Sequence, residues 1–219
     1  MYKYFSINTV FFEWIGYQMS YLEFFAVITG FIAVWLSAKE HISNWGIGLI
    51  SVVLMGILFY QIQLYPDLFL QVFFFITNLI GWWKWAHPKE EEANHKRELK
   101  VSRINVSEWI YLSILIFIST AMLGTFASKL HTLLPKLFSL PSAFPYIDSF
   151  TTVLSIAATY LLIQKKVEAW ILWILVDIIC TYIYYVKEVK FLSIEYFAFT
   201  LIAIFGFVSW KKSIPSIRP

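Results

Sequence analysis

The sequence predicts an all-α integral membrane protein of seven transmembrane helices, laid out as two parallel three-helix repeats joined by a linker helix. Three observations carry that prediction: the composition, the number of apolar runs of membrane-spanning length, and a match of the chain to itself at an offset of 125 residues. Of the 219 residues, 59% are hydrophobic, 20% aromatic and 14% charged, with a mean hydropathy of +0.68. Soluble domains are about 45–50% apolar and about 25% charged. So few charges cannot cover so much apolar surface in water, whereas a bilayer solvates it directly. Composition therefore excludes a soluble enzyme domain and a disordered chain. The net charge of +3 supplies no basic footprint for nucleic acid, and the single cysteine, Cys180, excludes an internal disulfide framework.

Residues 1–20 set Phe5, Val10, Phe11, Phe12, Trp14 and Ile15 around Glu13. Without a basic n-region, a clear apolar core or a small-residue cleavage site they are no cleavable signal peptide, and they read as an interfacial amphipathic segment. A hydrocarbon core roughly 30 Å thick requires about 20 apolar residues per helix, and about 17 at the least. The runs Tyr21 to Ala38, Trp45 to Tyr60 and Asp67 to Trp85 meet this and form a first repeat, 21–86. A charged cytoplasmic loop, 87–108, is too short to hold a core. Trp109 to Ala127 is the linker helix. An extracellular interfacial loop, 128–146, mixes leucines, phenylalanines and prolines with Lys129, His131 and Lys136. The runs Ile147 to Ile163, Ala169 to Val186 and Phe191 to Trp210 complete a second repeat, 147–210, before a cytoplasmic tail, 211–219. All seven are continuously apolar, which favours helices over the alternating strands of a barrel.

Lysines and arginines set the orientation, because positively charged loops stay cytoplasmic. With seven spans, twelve of them fall on the side of the C-terminus and five (Lys3, Lys129, Lys136, Lys187 and Lys190) on the other. The expected arrangement has the N-terminus outside and the C-terminus in the cytoplasm.

At the offset of 125, Phe25 pairs with Phe150, Ala33 with Ala158, Trp45 with Trp170, Tyr60 with Tyr185, Phe74 with Phe199, Gly81 with Gly206 and Trp85 with Trp210. Spans one, two and three thus fall in register with five, six and seven. Three is odd, so the linker span is what lets both repeats enter the membrane from the same side. Parallel repeats are a transporter architecture, with the substrate near the midplane where the repeats meet. A receptor or an anchor does not need this symmetry.

Motifs for catalysis, metal binding and phosphate loops are absent, and His41, His87, His95 and His131 all fall in predicted loops. The chain is therefore expected to be no enzyme and to need no cofactor. Polar groups inside the spans become the informative ones, since an ionisable side chain at bilayer depth is costly unless it faces a cavity or a partner. Asp177 lies halfway along span six, in Trp170-x-x-Trp173-x-x-x-Asp177, where the spacing puts both indoles and the carboxylate on one face, and Tyr184 extends the stripe. A carboxylate among aromatic rings suits an organic cation, through charge and cation–π attraction. The bland alternative is a protonated or hydrogen-bonded group between helices.

In span three, Gln71 and Asn78 share a face, and their amides could bond ribose hydroxyls or a carboxamide, or simply another helix. Span seven adds Tyr196 and Thr200, with Glu195 near its outer end. Glu23 and Asp67 read as interfacial carboxylates. Trp82, Trp83, Trp85 and Trp210 read as anchors at cytoplasmic helix ends, and Gly81 and Gly206 as sites of close helix packing within each repeat.

With the repeat, the Trp170-x-x-Trp173-x-x-x-Asp177 stretch and the Gly81-Trp82-Trp83-x-Trp85 ending together, the chain from Tyr21 to Lys212 resembles the PnuC family of vitamin transporters. The resemblance implies the three-plus-one-plus-three plan, like a full-length version of the SWEET sugar transporters, in a bacterial inner membrane. It implies uptake of nicotinamide riboside by facilitated diffusion, made one-way by a cytosolic kinase that phosphorylates the substrate, and a homotrimer. Related branches carry thiamine or riboflavin. Position for position, the span-six motif falls on Trp170, Trp173 and Asp177, and the polar positions of span three on Gln71 and Asn78. Nicotinamide riboside and thiamine both carry a fixed positive charge on an aromatic ring, so Asp177 suits either.

The leading expectation is thus a passive carrier of a small cationic vitamin, bound at the repeat interface and released by rocking of one three-helix unit against the other. A proton-coupled carrier would use the same aspartate as its relay. The competing class is a membrane-embedded enzyme or a scaffold subunit, and neither accounts for the repeat.

Overall fold

The computed structural model describes residues 2–14, 16–61, 65–94, 98–133, 144–186 and 190–214. It contains seven α-helices: α1 (Tyr21–Ala38), α2 (Ser43–Gln61), α3 (Tyr65–Ala86), α4 (Val106–Leu133), α5 (Pro145–Ile163), α6 (Glu168–Val186) and α7 (Lys190–Ser213). Six of these are long and apolar enough to cross a membrane. The exception is α3, whose 22 residues include Gln71, Asn78 and Lys84.

One correction to an all-helical chain falls at its start. A 3-10 turn, Tyr2–Phe5, leads into an antiparallel hairpin of β1 (Val10–Trp14) and β2 (Tyr17–Ser20), with Phe12 opposite Met19 and Glu13 opposite Gln18. Gly16, at φ 79°, turns the chain with a backbone conformation that glycine adopts without steric cost. The hairpin hands over directly to α1: the Ser20 hydroxyl accepts from the Glu23 amide at 3.1 Å and caps the helix, while Glu23 accepts from the Tyr17 hydroxyl.

A second correction concerns the linker helix. It begins three residues before Trp109 because Asn105 and Glu108 form a reciprocal cap: the Glu108 amide donates to Asn105 Oδ1 and the Asn105 amide to Glu108 Oε2, both at 2.7 Å. It also runs on to Leu133, through the start of the segment expected to be an interfacial loop. The rest of that segment, 134–143, lies outside the described residues.

Two compact units divide the chain, one of residues 1–100 with the end of α7 from Val208, the other of Val101–Phe207. In the first, α1 packs on α2 and α2 on α3. Its Ser51 hydroxyl donates across to the Ala26 carbonyl at 2.9 Å. Trp45, Trp85 and Trp210 are buried in a row, ring centroids 5.3 Å and 5.9 Å apart. The Trp210 indole N–H donates to the Ser37 carbonyl at 3.0 Å. Trp85 and Trp210 are therefore core residues rather than the interfacial anchors their positions suggested, whereas Trp82 and Trp83 are exposed.

In the second unit α4 packs on α5 and α5 on α6, around Ile116, Leu154, Ala158, Leu161, Leu172 and Val176. The connector before α4 is more than a charged loop. Val101 is buried, and Ser102 pairs with the α5–α6 turn, donating to the Lys165 carbonyl and accepting from the Val167 amide, both at 3.1 Å. The buried Glu168 carboxylate accepts from the Ile104 amide at 3.2 Å.

The turns that follow α1 and α5 match bond for bond at the same offset of 125. Glu40 and Lys165 stand at φ 61° and 53°, in the left-handed region that usually takes glycine at a helix end. Glu40 donates to the Ser37 carbonyl and His41 to Leu36. Lys165 donates to Leu162 and Lys166 to Leu161, all four at 2.9 Å.

Candidate functional site

The candidate residues of the second unit lie on α6 and α7. Helix α6 starts at the buried Glu168, so Trp170, Trp173, Asp177 and Tyr184 rise from a base that the connector holds in place. Trp170 is only 2% exposed and its indole covers Gly206 of α7, where a Cβ would come within 2.7 Å of ring carbons Cδ2 and Cε2. Sequence spacing puts Trp170 on one helical face with Trp173, Asp177 and Tyr184. The structure encloses it, and glycine is the one residue that leaves room for it.

Trp173 is half-buried against the α4–α5–α6 core. One turn further on, Asp177 is 5% exposed. Its backbone carbonyl accepts from the Thr181 hydroxyl at 2.7 Å, but its carboxylate makes no hydrogen bond or ion pair with any other residue among those described. Buried carboxylates are normally paired or hydrogen-bonded, which sets Asp177 apart.

Above Asp177 the two helices meet through tyrosines. Tyr184 of α6 and Tyr196 of α7 stack with centroids 5.4 Å apart and planes 12° from parallel. The Ser193 hydroxyl ties α7 to the Thr181 carbonyl at 2.9 Å. Thr200 is buried and spends its hydroxyl on the Tyr196 carbonyl at 3.0 Å. The tyrosine pair is a contact between helices that periodicity along one helix could not show. Helices α6 and α7 thus carry one buried carboxylate, a half-buried indole and two stacked phenol rings.

Gln71 and Asn78 belong to the first unit. Asn78 donates to the Phe74 carbonyl of its own helix at 2.8 Å, and its Oδ1 occupies the space a Cβ on Gly48 would need, 2.5 Å away. Gln71 is half-buried beside Gly56, and its amide has no hydrogen bond to another described residue. Of the two, Gln71 leaves its amide unspent among the described residues. Among the described residues no three His, Cys, Asp or Glu side chains converge as a metal site requires.

Comparison with known proteins places this geometry in context. The model of a family described as nicotinamide mononucleotide transporter matches residues 20–212. The nicotinamide riboside transporter PnuC of Escherichia coli (strain K12) is 35% identical over 215 residues, covering 90% of this chain and 88% of that one. Its namesake in Neisseria mucosa is 29% identical over 203 residues, covering 89% and 73%. Among solved structures, the crystal structure of the vitamin B3 transporter PnuC superposes with a TM-score of 0.69 at 27% identity, covering 89% of this chain and 82% of that one.

Proposed function

The chain belongs to the nicotinamide mononucleotide transporter family, and from that premise we propose that it carries nicotinamide riboside across the bacterial inner membrane by facilitated diffusion. Asp177 is the observation that carries the choice of substrate: a buried carboxylate without a partner is matched by the fixed charge of the pyridinium ring. Trp173, Tyr184 and Tyr196 supply the rings around it, with Trp170 as the wall behind and Thr200 as a brace within α7. Gln71 has the donors and acceptor to meet ribose hydroxyls or the carboxamide. Lysines and arginines stand in loops and near helix ends, so the helix interiors hold nothing to meet a phosphate. The unphosphorylated riboside is therefore the better fit, and a cytosolic kinase that adds a phosphate makes uptake one-way.

The chain runs three helices, a linker helix and three helices, with the N-terminus outside and the C-terminus in the cytoplasm. The shared turns after α1 and α5, and the tryptophan-on-glycine contact present in both units, support the reading of two repeats. Assembly as a homotrimer completes the proposal.

Thiamine is the second reading, because its charged ring satisfies Asp177 equally well. Riboflavin is neutral and would leave the carboxylate buried without a counter-charge. The deciding experiment titrates purified protein with nicotinamide riboside, thiamine and riboflavin while following tryptophan fluorescence, then repeats the titration with Asp177→Asn. We expect one cationic vitamin to bind selectively and the variant to bind it ~10-fold or more weakly, the usual scale for losing a charge-assisted contact. Unchanged affinity in the variant would overturn the assignment.

A further inference from the structure

The aromatic N-terminus stands where two membrane helices end. Helix α1 begins at Tyr21, straight out of the hairpin, and α2 ends at Gln61. The Gln61 amide grips the preceding turn from both sides, accepting from the Ile7 amide at 3.1 Å and donating to the Phe5 carbonyl at 2.6 Å. The Tyr21 amide adds a bond to the Thr9 carbonyl at 3.3 Å. The hairpin is thus fastened at one end of the α1–α2 pair.

Its rings pack on α1 with one side only. Phe11 lies 4.5 Å from Tyr21 and 5.0 Å from Phe24, centroid to centroid, and Phe12 lies 5.9 Å from Phe24. Their other sides are open, leaving Phe11 41%, Phe12 39% and Tyr17 41% exposed. Along α1, Phe25, Ile28, Ile32 and Trp35 are also exposed, at spacings of three and four that define one face. The Phe24–Phe25 ring contact, at 5.5 Å, joins that face to the hairpin. On a helix of a membrane transporter such a face meets lipid, so the exposed rings prolong a lipid surface past the point where the helix begins. Glu13 is the one Asp, Glu, Lys or Arg between Tyr4 and Ser20, which leaves an apolar, nearly uncharged surface at headgroup level, where aromatic rings are favoured.

We propose that the hairpin Val10–Ser20 is a lipid-interface anchor, its Phe11, Phe12 and Tyr17 rings seated at the boundary between headgroups and acyl chains. Through Gln61 and Thr9 it fixes the depth of α1 and α2 in the bilayer. The family match begins at residue 20, so the anchor is an attachment to the family core rather than part of it. With no cationic side chain among its rings, it engages the layer through ring burial, irrespective of headgroup charge.

The test uses the full-length protein in vesicles, with Phe12→Cys in a Cys180→Ser background carrying an environment-sensitive fluorophore. Vesicles of phosphatidylcholine contain bromines near the carbonyl, near the chain end, or none. Shallow bromines should quench most, aqueous acrylamide least, and replacing a third of the lipid by anionic phosphatidylglycerol should change neither. Full quenching by acrylamide with no effect of brominated lipid would place the hairpin in water and overturn the proposal. Quenching that scales with the fraction of labelled protomers would also overturn it, in favour of contact between copies. A label at Val10, which is likewise exposed, repeats the test if the Phe12 variant does not fold.

Discussion

The two compact units share their mechanical parts and differ in their chemical ones. In the first, Gly81 receives the Trp45 indole, and in the second Gly206 receives Trp170. The turns after α1 and α5 repeat the same hydrogen bonds around Glu40 and Lys165. At the same offset, however, Val52 corresponds to Asp177, Gly48 to Trp173, Asn78 to Ala203 and Gln71 to Tyr196. In the first unit Asn78 fills the space beside Gly48, whereas Trp173, at the position of Gly48, packs on the core of α4, α5 and α6. Close packing at the helix crossings is thus common to both, while among the described residues the buried Asp177 and the stacked tyrosines belong to the second.

The sharpest way to break this comparison is at the joints. Gly206→Ala drives a methyl into the Trp170 ring and Gly81→Ala one into Trp45, so each should cost about 1–3 kcal/mol by overpacking. Thermal unfolding in detergent should fall in both variants. A loss in one unit only would show that the shared contact is not a shared joint.

A smaller effect on stability, but a large one on binding, is expected at the chemical position. Asp177→Asn should leave the ligand-free protein as stable as before or more so, since it replaces a buried acid without a hydrogen-bond partner by a neutral amide of the same shape, while vitamin binding weakens. Thermal shift with and without vitamin separates the two.

Next comes the base of α6. Glu168→Ala strands the Ile104 amide and should cost about 1–3 kcal/mol at most, whereas Glu168→Gln keeps an acceptor and should lose less. The first unit has Ser43 at this position, and Ser43→Ala should be milder than either when the three are compared by denaturant unfolding.

The smallest effect is a gain. Glu40→Gly relieves a left-handed residue and should add up to about 1 kcal/mol. Lys165→Gly should add less, because Lys165 is buried and its replacement gives up packing. Hydrogen exchange at the two turns distinguishes the variants.

How much of this was legible in the sequence follows from the reach of each interaction. The start of α1 at Tyr21 and the end of α5 at Ile163 could be read because apolar runs and flanking polar residues act locally. The early start of α4 was also written locally, in Asn105 and Glu108, yet it lies inside a charged stretch where hydropathy gives no signal. The hairpin is too short for a periodic pattern to stand out, its strands being five and four residues long. On α6, spacing alone puts Trp170, Trp173, Asp177 and Tyr184 on one helical face. What encloses Trp170 and stacks on Tyr184 comes from α7, and no pattern within α6 announces it.

The row of Trp45, Trp85 and Trp210 has a consequence for biogenesis. The third indole of that row sits on α7, 125 residues after Trp85. At about 5–20 residues per second, the ribosome needs roughly 10 s to deliver it. Throughout that interval the first three helices are inserted but the Ser37 carbonyl lacks its indole donor. The unit that is made first is therefore finished last, and a nascent chain halted before α7 would present an open tryptophan seam to whatever insertion machinery attends it.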